Sequence, residues 1–116
     1  MAITWEALTI DARDPVSLAR WWAQTLGWDL MDPDPAGVEV RPPDGRSSSL
    51  FFVRVDDTKQ TKNRLHLDLY AEDQAAAVDD LTARGATRAA VGQSPDAGWV
   101  VLRDPEGNEF CLLEPR

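Results

Sequence analysis

The sequence predicts an α+β fold built from two tandem modules, each with the order strand–helix–strand–strand–strand (βαβββ). This order of patterns occurs twice within 116 residues, roughly over residues 1–57 and 63–116. Each copy has the same signals for the start and end of its helix: an Asp at the start, Asp14 or Asp73, and a Gly at the end, Gly27 or Gly85. One module could not bury its own sheet face, so we expect a single domain over residues 1–116. In that domain, a curved mixed sheet backed by helices would surround a cavity.

The first module begins with an alternating segment, Ile3–Ala12, which predicts a strand with one buried face. Asp14 can cap a helix whose first position suits Pro15, and Gly27 is placed to end that helix. Three short strands are then predicted, separated by turns rich in Asp, Pro and Gly: Trp28–Met31, Val38–Arg41 and Leu50–Val55.

The second module follows a polar connector at residues 56–63. Its first strand is predicted to carry Leu65, Leu67 and Leu69 on one face, and on the other Arg64, His66, Asp68 and Tyr70. A helix is expected between Asp73 and Gly85. Three strands complete the module: Thr87–Val91, Trp99–Arg103 and Glu109–Glu114. The turn at 104–108 joins the last two, with Asp104 bonded to its own loop and Gly107 supplying a positive φ.

Charge and composition exclude several classes of function. Twelve Lys and Arg residues against twenty Asp and Glu residues give a net charge of −8, which disfavours binding to nucleic acid or to an anionic membrane and suits a cationic ligand. A single cysteine and a single histidine exclude an internal disulfide and a multi-histidine metal site. Neither an export signal nor an apolar run long enough for a membrane helix is present, so we expect a cytoplasmic protein.

Several stretches resemble the vicinal oxygen chelate superfamily, which includes glyoxalases, bleomycin-resistance proteins and extradiol dioxygenases. DPVSLARWWAQTLGW at 14–28 is similar to the first helix and the strand after it, and GWVVLRDPEGNEFCLLE at 98–114 is similar to the closing hairpin. KNRLHLDLYAED at 62–73 and GAT at 85–87 match the start of the second module and the end of its helix. The resemblance implies a glyoxalase-like small-molecule-binding protein that forms a homodimer.

The resemblance also implies four positions at which metal-dependent members hold a divalent ion. His66 matches one of them, whereas the others fall on Ala7, on Cys111 and on Phe51 or Phe52. Because three of the four lack the usual donor, we expect no cofactor and no divalent metal. The alternative is a divalent metal at His66, such as zinc held with Cys111 and Asp68.

The predicted ligand site combines a polar wall with aromatic and charged side chains: His66, Asp68, Tyr70, Cys111, Trp5, Trp99 and Arg103. His66 is the candidate catalytic residue, with three open roles: general base, hydrogen-bond anchor for a ligand, or a structural histidine held by Asp68. We interpret Cys111 as a small buried apolar residue rather than a nucleophile.

Two further functions compete with ligand binding. One is a lyase or isomerase that acts on an oxygenated small molecule, with His66 as general base or metal ligand. The other is an accessory module used for protein contacts.

Overall fold

The computed structural model describes residues 2–45, 48–90 and 98–115. The chain divides into two compact units, Met1–Thr58 and Lys59–Arg116. Each unit contains one helix and one four-stranded mixed sheet, in the order βαβββ. The predicted α+β class with two tandem modules is confirmed.

The first unit contains five elements: β1 (Ala7–Ala12), α1 (Pro15–Leu26), β2 (Asp29–Leu30), β3 (Val38–Arg41) and β4 (Ser49–Arg54). The strand order in the sheet is β1-β4-β3-β2. β1 runs parallel to β4, and the other neighbours are antiparallel. The first strand of the unit therefore pairs with its last.

Helix α1 begins and ends as the sequence predicts. The Asp14 carboxylate accepts a hydrogen bond from the Ser17 backbone N–H at 3.1 Å, and Pro15 occupies the first helical position. Gly27 ends the helix in the left-handed region at φ 68°, which costs glycine little. The helix lies against β3 and β4, and Trp22 and Phe52 are among the most deeply buried side chains of the described chain.

The second unit repeats this arrangement with β5 (Leu67–Tyr70), α2 (Gln74–Ala83), β6 (Thr87–Arg88), β7 (Val100–Arg103) and β8 (Glu109–Leu113). The strand order is β5-β8-β7-β6, again with the first and last strands parallel. Asp73 caps α2 by accepting a hydrogen bond from the Ala76 N–H at 3.0 Å. The core of the unit consists mainly of side chains from α2, β7 and β8: Val78, Leu81, Leu102, Phe110 and Leu112.

Several predicted strand boundaries were wrong. β1 begins at Ala7 rather than Ile3, because its partner β4 begins at Ser49, the residue paired with Ala7. Trp5 therefore precedes the strand and is 70% exposed. Trp28 and Trp99, which were also predicted to lie on strands, directly precede β2 and β7. β6 ends at Arg88, and Val91, the predicted end of this strand, lies outside the described residues.

The turn between β7 and β8 is built around Asp104, which is only 3% exposed. One carboxylate oxygen accepts hydrogen bonds from the backbone N–H groups of Glu106 and Asn108, at 2.9 and 3.0 Å. The Asn108 side-chain amide donates to the other oxygen at 3.0 Å. Gly107 takes φ 90° and donates its N–H to the Asp104 carbonyl. The predicted structural role of this turn is confirmed.

Over the described ranges, neither helix is long and apolar enough to cross a membrane.

Candidate functional site

One face of the second sheet brings together most of the predicted site residues. The strand register places Asp68 of β5 beside Cys111 of β8, and Cys111 beside Val101 of β7. His66 lies just before β5, two residues ahead of Asp68, and its ring contacts the Asp68 carboxylate. The parallel β5–β8 pairing and the contact between His66 and Asp68 therefore assemble a compact polar cluster, which we define as His66, Asp68 and Cys111.

The donor atoms of the polar cluster lie within 4.8 Å of one another. Nδ1 of His66 is 2.9 Å from Oδ1 of Asp68 and 3.8 Å from Sγ of Cys111. The side chains of His66 and Asp68 are 40% and 50% exposed, whereas Cys111 is buried. A ligand can therefore reach the imidazole and the carboxylate from solvent, while the thiol forms the floor beneath them.

The geometry defines what His66 can do. In the tautomer with the proton on Nδ1, the ring donates to Asp68 and keeps the lone pair on Nε2. Asp68 then orients the ring, and Nε2 can accept a hydrogen bond from a ligand or take a proton from one. Because the pair is half exposed, its contribution to the stability of the fold is small.

Cys111 is not an activated nucleophile. Burial raises the pKa of its thiol, and the negative charge of Asp68 and a hydrogen bond to Asp68 raise it further, with Lys62 opposing them. The sulfur is therefore held as a neutral thiol at neutral pH. This state agrees with the interpretation of Cys111 as a small, buried residue.

The remaining predicted site residues lie in different places. Tyr70 is exposed and shares the face of Asp68 on β5. Arg103 lies at the end of β7, paired in register with Glu109, and Trp99 is exposed just before the same strand. Trp5 belongs to the other compact unit, ahead of β1. The structure thus gathers the polar residues of the second unit, while Trp5 is outside this group.

The metal positions that the resemblance implies in the first unit carry no ligand atoms. Phe52 is fully buried, so the neighbouring residue Phe51, on the opposite face of β4, corresponds to the expected position. Neither the Phe51 ring nor the Ala7 methyl group can coordinate a metal ion. In the first unit, therefore, the residues do not fit the usual divalent site.

A carboxylate that the sequence reasoning missed lies next to Phe51. Glu39 of β3 pairs in register with Phe51 and accepts hydrogen bonds from Arg41 and Ser49. The Arg41 hydrogen bond, followed by that from Ser49, lowers the pKa of Glu39. Its negative charge is thus already compensated by neighbouring side chains.

A second missed group is centred on Glu109, whose side chain is 6% exposed. Lys59 Nζ lies 3.0 Å from each carboxylate oxygen, the Asn63 backbone N–H donates at 2.7 Å, and Arg103 Nε is 3.4 Å away. Burial raises the pKa of Glu109, but hydrogen bonds from Asn63 and Lys59 outweigh it, so the pKa falls below its ordinary value. No local pattern signals this group, because Lys59 and Glu109 are far apart in sequence.

A cleft of about 310 Å³ lies beside this group in the second unit. Its wall includes Lys59, Lys62 and Arg103 together with Glu109 and the backbone at Gly107. We call it the basic cleft. Glu109 lies two residues before Cys111 on β8, so the cleft and the polar cluster occupy neighbouring positions on one sheet face.

Comparison with known proteins is consistent with this architecture. The family model described as a glyoxalase-like domain matches residues 7–113. No curated protein sequence matches the chain significantly.

Three solved structures illustrate the likeness. The antibiotic-binding protein TnmS3 from Streptomyces sp. CB03234 is 26% identical, with a TM-score of 0.66 over 100% of this chain and 99% of that one. A member of the glyoxalase/bleomycin resistance protein/dioxygenase superfamily from Sphaerobacter thermophilus DSM 20745 is 25% identical, with a TM-score of 0.66 over 97% and 98% of the two chains. The oxidase ChaP-H2 is 18% identical, with a TM-score of 0.63 over 100% and 96%, and shows the fold alone.

Proposed function

The chain belongs to the glyoxalase-like domain family of the vicinal oxygen chelate superfamily, and from that premise we propose that it binds a small organic molecule at the polar cluster without a divalent metal. The observation that carries the proposal is the convergence of His66, Asp68 and Cys111, with donor atoms within 4.8 Å of one another. Convergent polar groups on a scaffold of this class are typical of a site that orients a ligand.

The accessibility of these groups supports ligand binding. Nε2 of His66 can accept a hydrogen bond, the Asp68 carboxylate is half exposed, and Tyr70 follows on the same face of β5. A relative of similar length, TnmS3, is described as an antibiotic-binding protein. We therefore propose capture of a small organic compound, with Trp99 and Arg103 of the same unit as further contacts.

Replacing His66 tests the proposal. A panel of antibiotics carrying positive, neutral or negative charge would be titrated against the protein, with tryptophan fluorescence as the signal. For any compound that binds, we expect His66→Ala to weaken the affinity by about 5- to 150-fold, because an orphaned polar partner costs roughly 1–3 kcal/mol. Leu65→Ala is the matched control, since Leu65 is the adjacent residue and its side chain is exposed. Equal affinities for wild type and His66→Ala would contradict the assignment.

The absence of a divalent metal forms part of the same proposal. Ala7 and Phe51 supply no ligand atoms, and Cys111 favours the neutral thiol, so a hard ion would have His66 and Asp68 as its available partners. After incubation with excess Mg²⁺ or Mn²⁺ and removal of unbound ion, we expect less than about 0.1 ion per chain by elemental analysis, as expected of a weak two-ligand site. Stoichiometric retention of either ion would overturn this part of the proposal.

A second candidate function is a lyase or isomerase, and the closeness of the three donor atoms favours it specifically. Asp68 orients His66 as it would orient a general base, and a softer ion such as Zn²⁺ could take His66, Asp68 and a deprotonated Cys111. The same His66→Ala variant separates the two functions: turnover would vanish in an enzyme, whereas a binding protein would lose only part of its affinity.

Two finer features complete the proposal. The net charge of −8 and the exposed Asp68 carboxylate favour a cationic group on the part of the ligand that meets the polar cluster. We also propose that the protein is cytoplasmic and that it forms a homodimer. The dimer is proposed because the outer strands of both described sheets have an unpaired edge that a second copy can cover. Sedimentation at micromolar concentration measures the dimer directly, and a monomer there would contradict it.

A further inference from the structure

The basic cleft contains a preorganised set of positive charges. Glu109 is nearly inaccessible and holds Lys59 Nζ at 3.0 Å and Arg103 Nε at 3.4 Å, while Asn63 donates its backbone N–H to the same carboxylate. These bonds fix two long side chains that would otherwise lose conformational freedom on binding a ligand. The buried carboxylate therefore positions cations rather than presenting itself to a ligand.

The positive charge of the cleft exceeds what Glu109 neutralises. Among the described residues that line the cavity, Lys59, Lys62 and Arg103 accompany one carboxylate, that of Glu109. Among the residues that the structure describes, Lys62 Nζ donates only to the neighbouring Asn63 carbonyl, at 3.2 Å. The cleft is thus locally positive on a chain whose net charge is −8.

Arg103 retains unused donors that point to the kind of ligand. Its Nε faces Glu109, and within the described part of the chain its two terminal nitrogens form no hydrogen bond or ion pair. A guanidinium presents such nitrogens in a planar fork that matches a carboxylate or a phosphate. The Arg103 side chain is 40% exposed, so an incoming anion can reach it without a change in the backbone structure.

We propose that the basic cleft is an oxyanion site that binds a carboxylate or phosphate group of a small molecule. Arg103 and Lys62 contact the anion, while Glu109 and Lys59 hold the arrangement in place. The cavity of about 310 Å³ is at the small end of ligand sites, which suits one anionic group with a short attached frame. Arg103 is shared with the contacts proposed for the ligand of the polar cluster, but the anion site uses none of His66, Asp68 and Cys111, so its existence does not depend on what the cluster binds.

The test uses inorganic phosphate and acetate as separate probes, each titrated at constant ionic strength against chloride. Backbone amide NMR signals of Gln60, Thr61 and Gly107 report on the cleft, since these residues line it. We expect saturable shifts at these signals with at least one probe, and the tighter probe identifies the preferred anionic group. No saturable shift with either probe would overturn the proposal.

Charge-matched variants locate the binding. Arg103→Gln is expected to weaken the apparent affinity roughly tenfold, and Lys62→Gln about threefold, because a bidentate guanidinium contributes more than a mobile ammonium. Arg88→Gln is the control, because this substitution removes the same charge at a distance from the cleft. Arg88 pairs with Leu102, so it lies on the sheet face opposite to Arg103. If Arg88→Gln weakened binding as much as Arg103→Gln, the effect would be general electrostatics and the site would be refuted.

Binding in the cleft is also independent of the first functional proposal. His66→Ala leaves every charged residue of the cleft in place, so phosphate or acetate should bind this variant with unchanged affinity. Loss of binding in His66→Ala would show that the anion occupies the polar cluster, and would reject the cleft.

Discussion

Replacing Glu109 with Ala is expected to lower the free energy of unfolding by about 3 kcal/mol, at the lower end of what breaking a buried ion pair costs. The change removes the partner of Lys59, whose side chain is largely buried, and leaves the Asn63 N–H without its acceptor. Urea denaturation at neutral pH measures the loss. Glu72→Ala serves as the control, because Glu72 is exposed, and should change stability by less than about 0.5 kcal/mol. Equal losses in the two variants would contradict the central role of Glu109.

The same carboxylate predicts a pH dependence. Hydrogen bonds hold the pKa of Glu109 below its ordinary value of 4.5, despite burial, so the ionised form is favoured by folding. Its contribution is fully present well above pH 4.5 and is lost as the pH falls through the lower pKa of the folded state. The stability difference between wild type and Glu109→Gln should therefore narrow in acid. A difference that grew with decreasing pH would contradict the direction of the shift.

Asp104→Ala is expected to produce the second large effect, a loss of about 2–3 kcal/mol. The substitution removes the acceptor for the backbone N–H groups of Glu106 and Asn108, and this acceptor belongs to a residue that is only 3% exposed. Since the turn sets the register between β7 and β8, its loosening also affects the strand that carries Cys111. Thermal and urea unfolding both measure the change.

The chain offers a matched control for the Asp104 prediction. Asp34 makes a similar turn, with its carboxylate accepting hydrogen bonds from the Ala36 and Gly37 N–H groups, but it is exposed. Asp34→Ala should therefore cost only about 0.5–1 kcal/mol, because water can replace the lost acceptor. If Asp104→Ala were no more destabilising than Asp34→Ala, burial would not be the source of its importance.

The parts of the fold that the sequence could predict are those set by local chemistry. The Asp caps of α1 and α2 and the loop around Asp104 depend on residues three or four apart, so their signals lie within one window. The sequence predicts that His66 and Asp68 share a strand face, and the two side chains do make contact, although β5 begins only at Leu67 and His66 lies just before it. The family resemblance predicts Cys111 at a site position, and in the structure the β5–β8 register pairs it with Asp68.

The parts that could not be predicted depend on distant contacts. Nothing near Glu109 indicates that Lys59 and the Asn63 backbone will cover it, because that pairing forms only when the connector folds against β8. The start of β1 depends in the same way on where β4 begins. Alternation in residues 3–6 was compatible with a strand, but without a partner strand those residues stay outside the sheet.

The pairing of each unit's opening strand with its closing strand has a kinetic consequence. Ala7 pairs with Ser49, and Leu67 pairs with Phe110, so neither parallel ladder can grow from a tight hairpin. The chain must first close a loop that contains a helix and two further strands. Folding should accordingly be slower than for a helical bundle of equal size. During refolding from concentrated denaturant, β1 of one molecule can seat on β4 of another with the same register, so exchange of strands between molecules is the characteristic misassembly of this architecture.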